Sequence, residues 1–209
     1  MALAKAMSND RALWFILATI LIDAIGVGLI FPLMPDLMDR VGAGGASNGA
    51  VLGGILMAAY AATQFLCAPV LGALSDRYGR RPVLFVGLGV YIALSIACSL
   101  ATDFTTLVVL RAIQGFGAAA IIALPPAIIR DRVGGDKMAR MMSLIFVIFL
   151  MVPAIAPTIG QGILEIAGNW RWIFAAMAAA GVVMAIWVYT SLPETLHEDD
   201  RVPIRLPVI

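Results

Sequence analysis

The stretch Gly72-Ala-Leu-Ser-Asp76-Arg77-Tyr-Gly79-Arg80-Arg81-Pro82 decides the fold of this 209-residue chain. It places an acid and three arginines between two long hydrophobic runs, 51–71 and 83–101. Each run is about as long as the roughly 20 apolar residues that an α-helix needs to cross a bilayer. Because the charged connection is short, the two helices are predicted to lie antiparallel, side by side, with the three arginines in the cytoplasm.

The composition excludes most soluble functions. The chain is 62% hydrophobic and only 13% charged, more apolar surface than a soluble domain of this size can bury, so membrane lipid is its expected solvent. The net charge of +1, without a long basic run, gives no support for a nucleic-acid partner. There is no G-x-x-x-x-G-K phosphate loop, and one histidine with two isolated cysteines forms no zinc or disulfide framework. We therefore expect neither an enzyme nor a bound metal or cofactor.

Six hydrophobic runs, bounded by charged or turn residues, predict an all-α membrane protein with six transmembrane helices. Residues 1–192 are expected to form this bundle, and residues 193–209 the start of a cytoplasmic linker. The predicted spans are 13–35, 50–72, 82–102, 105–129, 141–164 and 172–192.

The basic residues predict how the bundle is oriented. With the N-terminus inside, eleven of the fourteen lysines and arginines fall in cytoplasmic segments and two in outer loops. Only Arg111 lies within a span. Because positively charged loops remain on the cytoplasmic side, both termini are predicted to be cytoplasmic.

The pattern G-x-x-x-D-R-x-G-R-R between the second and third spans closely resembles the signature of the major facilitator superfamily. The segments LIDAIGVGLIFPLMPDL (from Leu21), RAIQGFGAAA, APTIGQGIL and SLPETL resemble bacterial drug:proton antiporters of the bicyclomycin-resistance (Bcr/CflA) type and tetracycline efflux proteins. The resemblance implies a bacterial inner-membrane protein. It also implies a bundle of two inverted three-helix repeats, one half of a twelve-span fold with the substrate held between the halves.

Asp23 is the most informative single residue. It lies about ten residues into the first span, roughly 15 Å along the helix axis. A carboxylate at that depth is costly and normally faces the bundle interior or a water-filled cavity, so we expect Asp23 to bind and release protons. The alternative is a structural acid that is hydrogen-bonded to a neighbouring span.

The fourth span contains the sequence Arg111-Ala-Ile-Gln114-Gly115. Arg111, Gln114 and Gly115 share a helix face, and Gly115 with Ala119 forms a small-x-x-x-small pair that lets another helix approach closely. The sequence resembles the R-x-x-Q-G motif of proton-coupled major facilitators, which implies a role for Arg111 in proton coupling. The alternative is an arginine that extends its side chain to the lipid headgroups.

The fifth span holds Pro153 and Pro157, four residues apart, which predicts a kink because each proline removes a helix hydrogen bond. Ala156 and Gly160 would allow close packing of another helix. The segment partly resembles the antiporter motif G-P-x-x-G-G, with Ala156 in place of the first glycine and Gln161 interrupting the last pair. The resemblance favours export over uptake, and a merely bent packing helix is the alternative.

The charged loop between the second and third spans has two interpretations, as a cytoplasmic latch and as a topology anchor. The superfamily uses such an acid and its arginines as a cytoplasmic latch against the other bundle. We expect Asp76 and Arg77 to form the latch, with Asp76 near the positive start of span three, and Arg80 and Arg81 to fix the topology. The motif residues Gly72 and Gly79 belong to the same loop. Small residues at every fourth position of span two are expected to form a packing seam: Gly54, Ala58 and Ala62.

These features predict proton-coupled efflux of drugs or other small molecules by alternating access, with Gln64, Gln114 and Gln161 as candidates for the substrate pathway. The expected partners are lipid, substrate, protons and a C-terminal six-span half or a second copy of the chain. Two alternatives remain: an uptake symporter for a small metabolite, and a truncated membrane partner without transport activity.

Overall fold

The computed structural model describes residues 20–21, 46–192 and 194–196. Most of the first predicted span, including Asp23, lies outside the described residues. Five helices cover the second to the sixth predicted span: α1 Ala46–Tyr78, α2 Arg80–Ser99, α3 Phe104–Arg132, α4 Gly135–Ala167 and α5 Arg171–Ser191. The predicted all-α class is confirmed for this protein.

The helices α1 and α4 are longer than their predicted spans. Each has 33 residues and is therefore about 50 Å long at 1.5 Å per residue, well beyond the ~30 Å of a bilayer's hydrocarbon core. The hydrophobic run marks the part of a helix that lies in lipid, whereas backbone hydrogen bonding continues into polar sequence. As a result, Asp76 and Arg77 belong to the last turn of α1 and not to a loop.

Length and composition make α1, α2, α3 and α5 suitable for crossing a membrane. The helix α4 qualifies as a fifth span if its two parts, Gly135–Val152 and Ala154–Ala167, count as one broken helix. The two parts meet at Pro153 with a bend of 46°, in agreement with the predicted kink. Proline produces such a bend because it lacks the N–H that would bond the preceding turn.

The helix α3 is at the centre of the described packing. It packs most extensively against α1 and α2, and α2 also packs along α5, whereas α4 makes few contacts with α3 and α5. The buried core includes Ile20, Leu56, Leu88, Leu124 and Phe174, each at most 2% exposed. The long outward-facing side chains, such as Phe65, Leu150 and Ile166, are between 78% and 91% exposed. Such a surface suits a lipid solvent and not water.

Candidate functional site

Arg111 lies in α3 and is completely buried. Its guanidinium carbon is 4.2 Å from the ring centroid of Tyr60 on α1 and 5.9 Å from that of Phe174 on α5. Both rings therefore lie within the distance at which the negative face of an aromatic ring attracts a cation. The interpretation of Arg111 as a headgroup anchor is wrong for this structure, because a snorkelling side chain would reach the surface.

A chain of hydrogen bonds connects Arg111 to α2. Arg111 Nη1 donates to Gln114 Oε1 at 2.6 Å, and Gln114 Nε2 donates to Ser95 Oγ at 2.6 Å. Ser95 Oγ donates in turn to the backbone oxygen of Tyr91 at 2.7 Å. Gln114 and Ser95 are fully buried. The chain ties two helices together through polar groups inside an otherwise apolar bundle, where each such bond is strengthened by the low dielectric constant.

Two glycines of α3 bring its neighbours close enough for this network. A Cβ atom added at Gly115 would collide with the backbone oxygen of Tyr60 on α1. A Cβ at Gly117 would be 2.7 Å from the backbone oxygen of Gly87 and 2.7 Å from the nitrogen of Tyr91, both on α2. The predicted partner of Gly115 in a close-packing pair, Ala119, is also fully buried. The motif that supplies Arg111 thus also fixes the distance from α3 to both neighbouring helices.

Gln64 lies one helical turn after Tyr60, beside the same crossing of α1 and α3. Its backbone nitrogen is 3.2 Å from the Cβ position of Gly115. Its side-chain nitrogen, Nε2, is buried and makes no hydrogen bond to any residue that the structure describes. Gln64 therefore lies at the same crossing of α1 and α3 as Tyr60 and Gly115.

The predicted residues of α4 are placed differently. Ala156 is fully buried and Gly160 is buried, while Pro157 is half-buried one turn beyond the bend at Pro153. Gln161 lies on the exposed side of α4 and donates to Glu165 of the same helix at 3.2 Å. The described hydrogen bonds therefore do not join Gln161 to the Arg111 network.

A second polar network lies where α1 ends and α2 begins. Arg80 is only 3% exposed and makes two ion pairs, from Nη1 to Asp76 Oδ1 at 2.6 Å and from Nε to Asp131 Oδ2 at 3.0 Å. Nη1 also donates to Ser75 Oγ at 2.6 Å, and Ser75 Oγ donates to the backbone oxygen of Gly72 at 2.7 Å. Arg80 thus links the ends of α1 and α3, in addition to the role in fixing the topology that is predicted for it.

The acid at the start of α2 is Glu194 and not Asp76. The backbone N–H groups of Arg80 and Arg81 donate to the two carboxylate oxygens of Glu194, at 2.9 and 3.2 Å. These N–H groups have no partner within the helix, and the helix dipole favours a negative charge there. Asp76 is in the preceding helix, so the expectation that it occupies this position is corrected.

Gly79 allows Glu194 to approach. Its φ of +99° lies in the region that residues with a side chain rarely adopt, and an added Cβ would be 2.6 Å from Glu194 Oε2. The neighbouring arginines are more open. Arg77 is exposed and stacks on Tyr78 at 5.2 Å, whereas Arg81 donates to the backbone oxygen of Tyr189 at 2.9 Å. Arg81 therefore joins the start of α2 to the end of α5.

Sequence reasoning did not assign a role to Tyr60, Ser75, Ser95, Asp131 or Glu194. Asp131 and Glu194 are acids just beyond predicted spans, a signal that could have marked them as partners for the loop arginines. Ser95 and Tyr60 lie inside apolar runs and gave no such signal. Among the described residues, no group of three or more histidine, cysteine, aspartate or glutamate side chains could hold a metal ion.

A comparison with protein families matches residues 16–206 to the Major Facilitator Superfamily. The chain belongs to this family. It is 34% identical over 205 residues to the class C tetracycline resistance protein of Escherichia coli, covering 96% of this chain and 49% of that protein. It is 31% identical over 138 residues to the bicyclomycin resistance protein homolog of Haemophilus influenzae, covering 66% and 34%. The resemblance to this family inferred from the loop and span motifs is therefore confirmed, and its homologues are transporters and not enzymes.

The fold of this family member is also found in solved structures. The proton:xylose symporter XylE superposes with a TM-score of 0.78 at 16% identity, covering 91% of this chain and 46% of that chain. The chain thus spans about half the length of the symporter and of the tetracycline resistance protein, and about a third of the bicyclomycin resistance homolog.

Proposed function

We propose that this chain is one half of a proton-coupled transporter that exports drugs or similar small molecules by alternating access in the bacterial inner membrane. The observation that carries the proposal is the buried Arg111 network, a charged and hydrogen-bonded centre among apolar helices. Ionisable groups buried among membrane-spanning helices are costly and usually belong to a transport or proton pathway. The names of the two relatives point to export of tetracycline or bicyclomycin-like compounds.

Asp23 and Arg111 are proposed as the coupling pair. Asp23 lies outside the described residues, but Ile20, three positions earlier in the sequence, is 2% exposed and belongs to the same core. A cation favours the ionised form of a nearby carboxyl, and desolvation favours its protonated form. A conformational change that alters the distance between the two groups would therefore change whether the acid holds a proton.

The proton gradient supplies enough free energy for this task. One proton moving down ~100 mV and about one pH unit releases roughly 3.7 kcal/mol. That energy supports about a 500-fold gradient of a neutral compound exported one per proton. The proposal therefore needs no nucleotide hydrolysis.

The direction of transport rests on α4. Pro157 and the buried Gly160, which follow the bend at Pro153, belong to the part of the antiporter motif that the sequence retains, and Ala156, which replaces its first glycine, is also buried. Uptake of a small metabolite is the second candidate, because the fold is shared with a proton:xylose symporter. The two candidates differ in whether substrate and proton cross in opposite directions or together.

We further propose that a second six-span bundle completes the transporter, with Asp76 and Arg77 at the cytoplasmic end of α1 as part of the latch. The small residues predicted to form a seam on α1, Gly54, Ala58 and Ala62, are exposed, and nothing in the described residues lies within 4 Å of a Cβ added at Gly54. About half of the length of the tetracycline resistance protein is also unmatched. Residues 1–209 alone are expected to insert into the membrane without exporting drug, and a second bundle, or a second copy, to restore export.

The test uses inside-out membrane vesicles from cells that express the full reading frame. Respiration acidifies the vesicle interior, and an acridine dye reports proton release when tetracycline or bicyclomycin is added. We expect release with the wild type, none with Asp23→Asn, and normal release with Asp136→Asn, an exposed acid in the first turn of α4. Wild-type proton release and drug resistance in Asp23→Asn would contradict the coupling role. If the vesicle interior instead becomes more acidic when substrate is added, substrate and protons move together, and this result would favour the symporter.

A further inference from the structure

Ser95 of α2 faces the buried network from a helix that sequence reasoning left without a polar role. It is completely buried, and its Oγ lies 2.6 Å from Gln114 Nε2 and 2.7 Å from the backbone oxygen of Tyr91. A hydroxyl has one proton to donate and two lone pairs that accept. Because the proton is directed to Tyr91, Ser95 can offer only a lone pair to Gln114.

This assignment fixes which end of the Gln114 amide faces which neighbour. A side-chain amide has an accepting oxygen at one end and a donating NH₂ at the other. With a lone pair of Ser95 on one side, the NH₂ group must face Ser95, and Oε1 then faces Arg111 Nη1 at 2.6 Å. A flipped amide would place its NH₂ group against the guanidinium of Arg111, so that two donors would face each other. It would also place Gln114 Oε1 against a lone pair of Ser95 Oγ, so that two acceptors would face each other.

The backbone supports the same arrangement. Tyr91 and Ser95 lie one turn apart on α2. The close contact of Gly117 with Gly87 and Tyr91 sets the distance between α2 and α3, and so brings both residues beside Gln114. The neighbouring Ser99, one turn further along α2, donates within its own helix to the backbone oxygen of Ile96, and no hydrogen bond joins it to another helix among the residues that the structure describes. Ser95 and Ser99 therefore differ in whether their hydroxyl reaches another helix.

We propose that Ser95 is a positioning residue that orients the Gln114 amide so that its oxygen stays on Arg111. The inference rests on the proposed function, in which Arg111 takes part in proton coupling. Ser95 acts through Gln114 and is not itself expected to contact substrate or carry a proton.

The decisive variant is Gln114→Glu, because the two oxygens of a carboxylate are equivalent and need no orientation. In the wild-type background, Ser95→Ala is expected to reduce the rate of drug-dependent proton release about tenfold, since the bond to the charged group becomes intermittent. Ser95→Thr, which keeps the hydroxyl, should restore at least half of the rate. Ser99→Ala is the matched control and should leave the rate within about twofold of wild type. In the Gln114→Glu background, Ser95→Ala should change the rate by less than about twofold.

Equal loss from Ser95→Ala in both backgrounds, or no loss in either, would overturn the inference, because the serine would then act by packing alone or not at all. A second readout is the thermal unfolding midpoint, in detergent, of the wild type, Ser95→Ala, Gln114→Glu and the double variant. It needs no transport and so separates this inference from the proposed function. A non-additive difference of about 2 °C or more supports the orientation role even if the wild type releases no protons, whereas additive midpoints contradict it.

Discussion

The molecule holds two buried arginines in two different ways. Arg80, at the junction of α1 and α2, is paired with the carboxylates of Asp76 and Asp131. Arg111, in the middle of α3, contacts an amide oxygen and two aromatic rings. The side chain of Asp76 is 44% exposed, so water reaches the first network, whereas Gln114 and Ser95 are fully buried in the second.

The difference indicates separate tasks. Carboxylates that neutralise an arginine permanently suit a fixed connection between helix ends. Arg111 lies deeper, beside an amide and two aromatic rings, where the low dielectric constant lets its charge act strongly on a nearby acid. The Arg80 network therefore fits a link between helix ends, and the Arg111 network fits the coupling site proposed above.

The largest effect is expected from Arg111→Lys. Lysine keeps the positive charge but loses the planar group that donates to Gln114 while stacking on Tyr60. Drug-dependent proton release should fall about tenfold or more, since a buried bond to a charged group contributes about 1.5–3 kcal/mol. Arg130→Lys, at an exposed arginine near the end of the same helix, is the control. Full activity of Arg111→Lys would remove the distinction between the two networks.

Gly117→Ala tests whether the second network depends on the close helix crossing. The new methyl group would be 2.7 Å from backbone atoms of Gly87 and Tyr91, which cannot move aside as a side chain can. We expect a destabilisation of about 1–3 kcal/mol, measured as a lower unfolding midpoint in detergent, together with reduced transport. Gly89→Ala, on α2 with nothing within 4 Å of its Cβ position, should be neutral. Equal effects of the two substitutions would show that the crossing of α2 and α3 can accommodate an additional methyl group.

Asp131→Ala should be milder and should act on stability more than on transport. It removes one of two carboxylates from Arg80 while Asp76 and Ser75 still accept from the guanidinium. A loss of about 1 kcal/mol is expected, smaller at high salt, because the pair lies near water. The unfolding midpoint at low and high ionic strength provides the measurement. A transport defect as large as that of Arg111→Lys, with unchanged stability, would instead place Arg80 in the transport cycle.

The smallest effect is expected outside both networks, at the start of α3. Asp103 caps this helix by accepting from the Thr106 backbone N–H at 2.8 Å and from its hydroxyl at 2.6 Å. These hydrogen bonds, the one from the Thr106 side chain foremost, lower the pKa of Asp103 from its usual 3.8. Its ionised form is thus favoured in the folded state, so its contribution to stability is present above about pH 4 and is lost as the pH falls below that value.

Asp103→Ala should therefore lower the unfolding midpoint slightly at pH 7, and the difference from wild type should shrink towards pH 3. Asp103→Asn, which can still accept from the Thr106 N–H, should retain much of the stability. A difference between wild type and Asp103→Ala that grows as the pH falls would have the wrong sign and would contradict this role for the cap.

Much of the protein follows from local sequence. Hydrophobic runs of about 20 residues predict membrane helices because a backbone in lipid must satisfy its own hydrogen bonds. The proline at position 153 predicts the bend of α4 for a similarly local reason, and the spacing of Arg111 and Gln114 puts both on one helix face. The charged loop and the R-x-x-Q-G motif were sufficient to indicate the family, which the comparisons then showed.

Only the tertiary structure decided which polar groups meet across helices. Arg80 finds Asp131, 51 positions away, and its backbone N–H finds Glu194, 114 positions away. Nothing in the local sequence of Ser95 distinguishes it from Ser99, yet within the described part of the chain the Ser95 hydroxyl bonds to another helix and the Ser99 hydroxyl does not. Hydropathy fixes how long a helix must be, but not its rotation or the height at which it crosses its neighbours. Those are set by close contacts such as Gly117 against Gly87, which depend on all the packed helices at once.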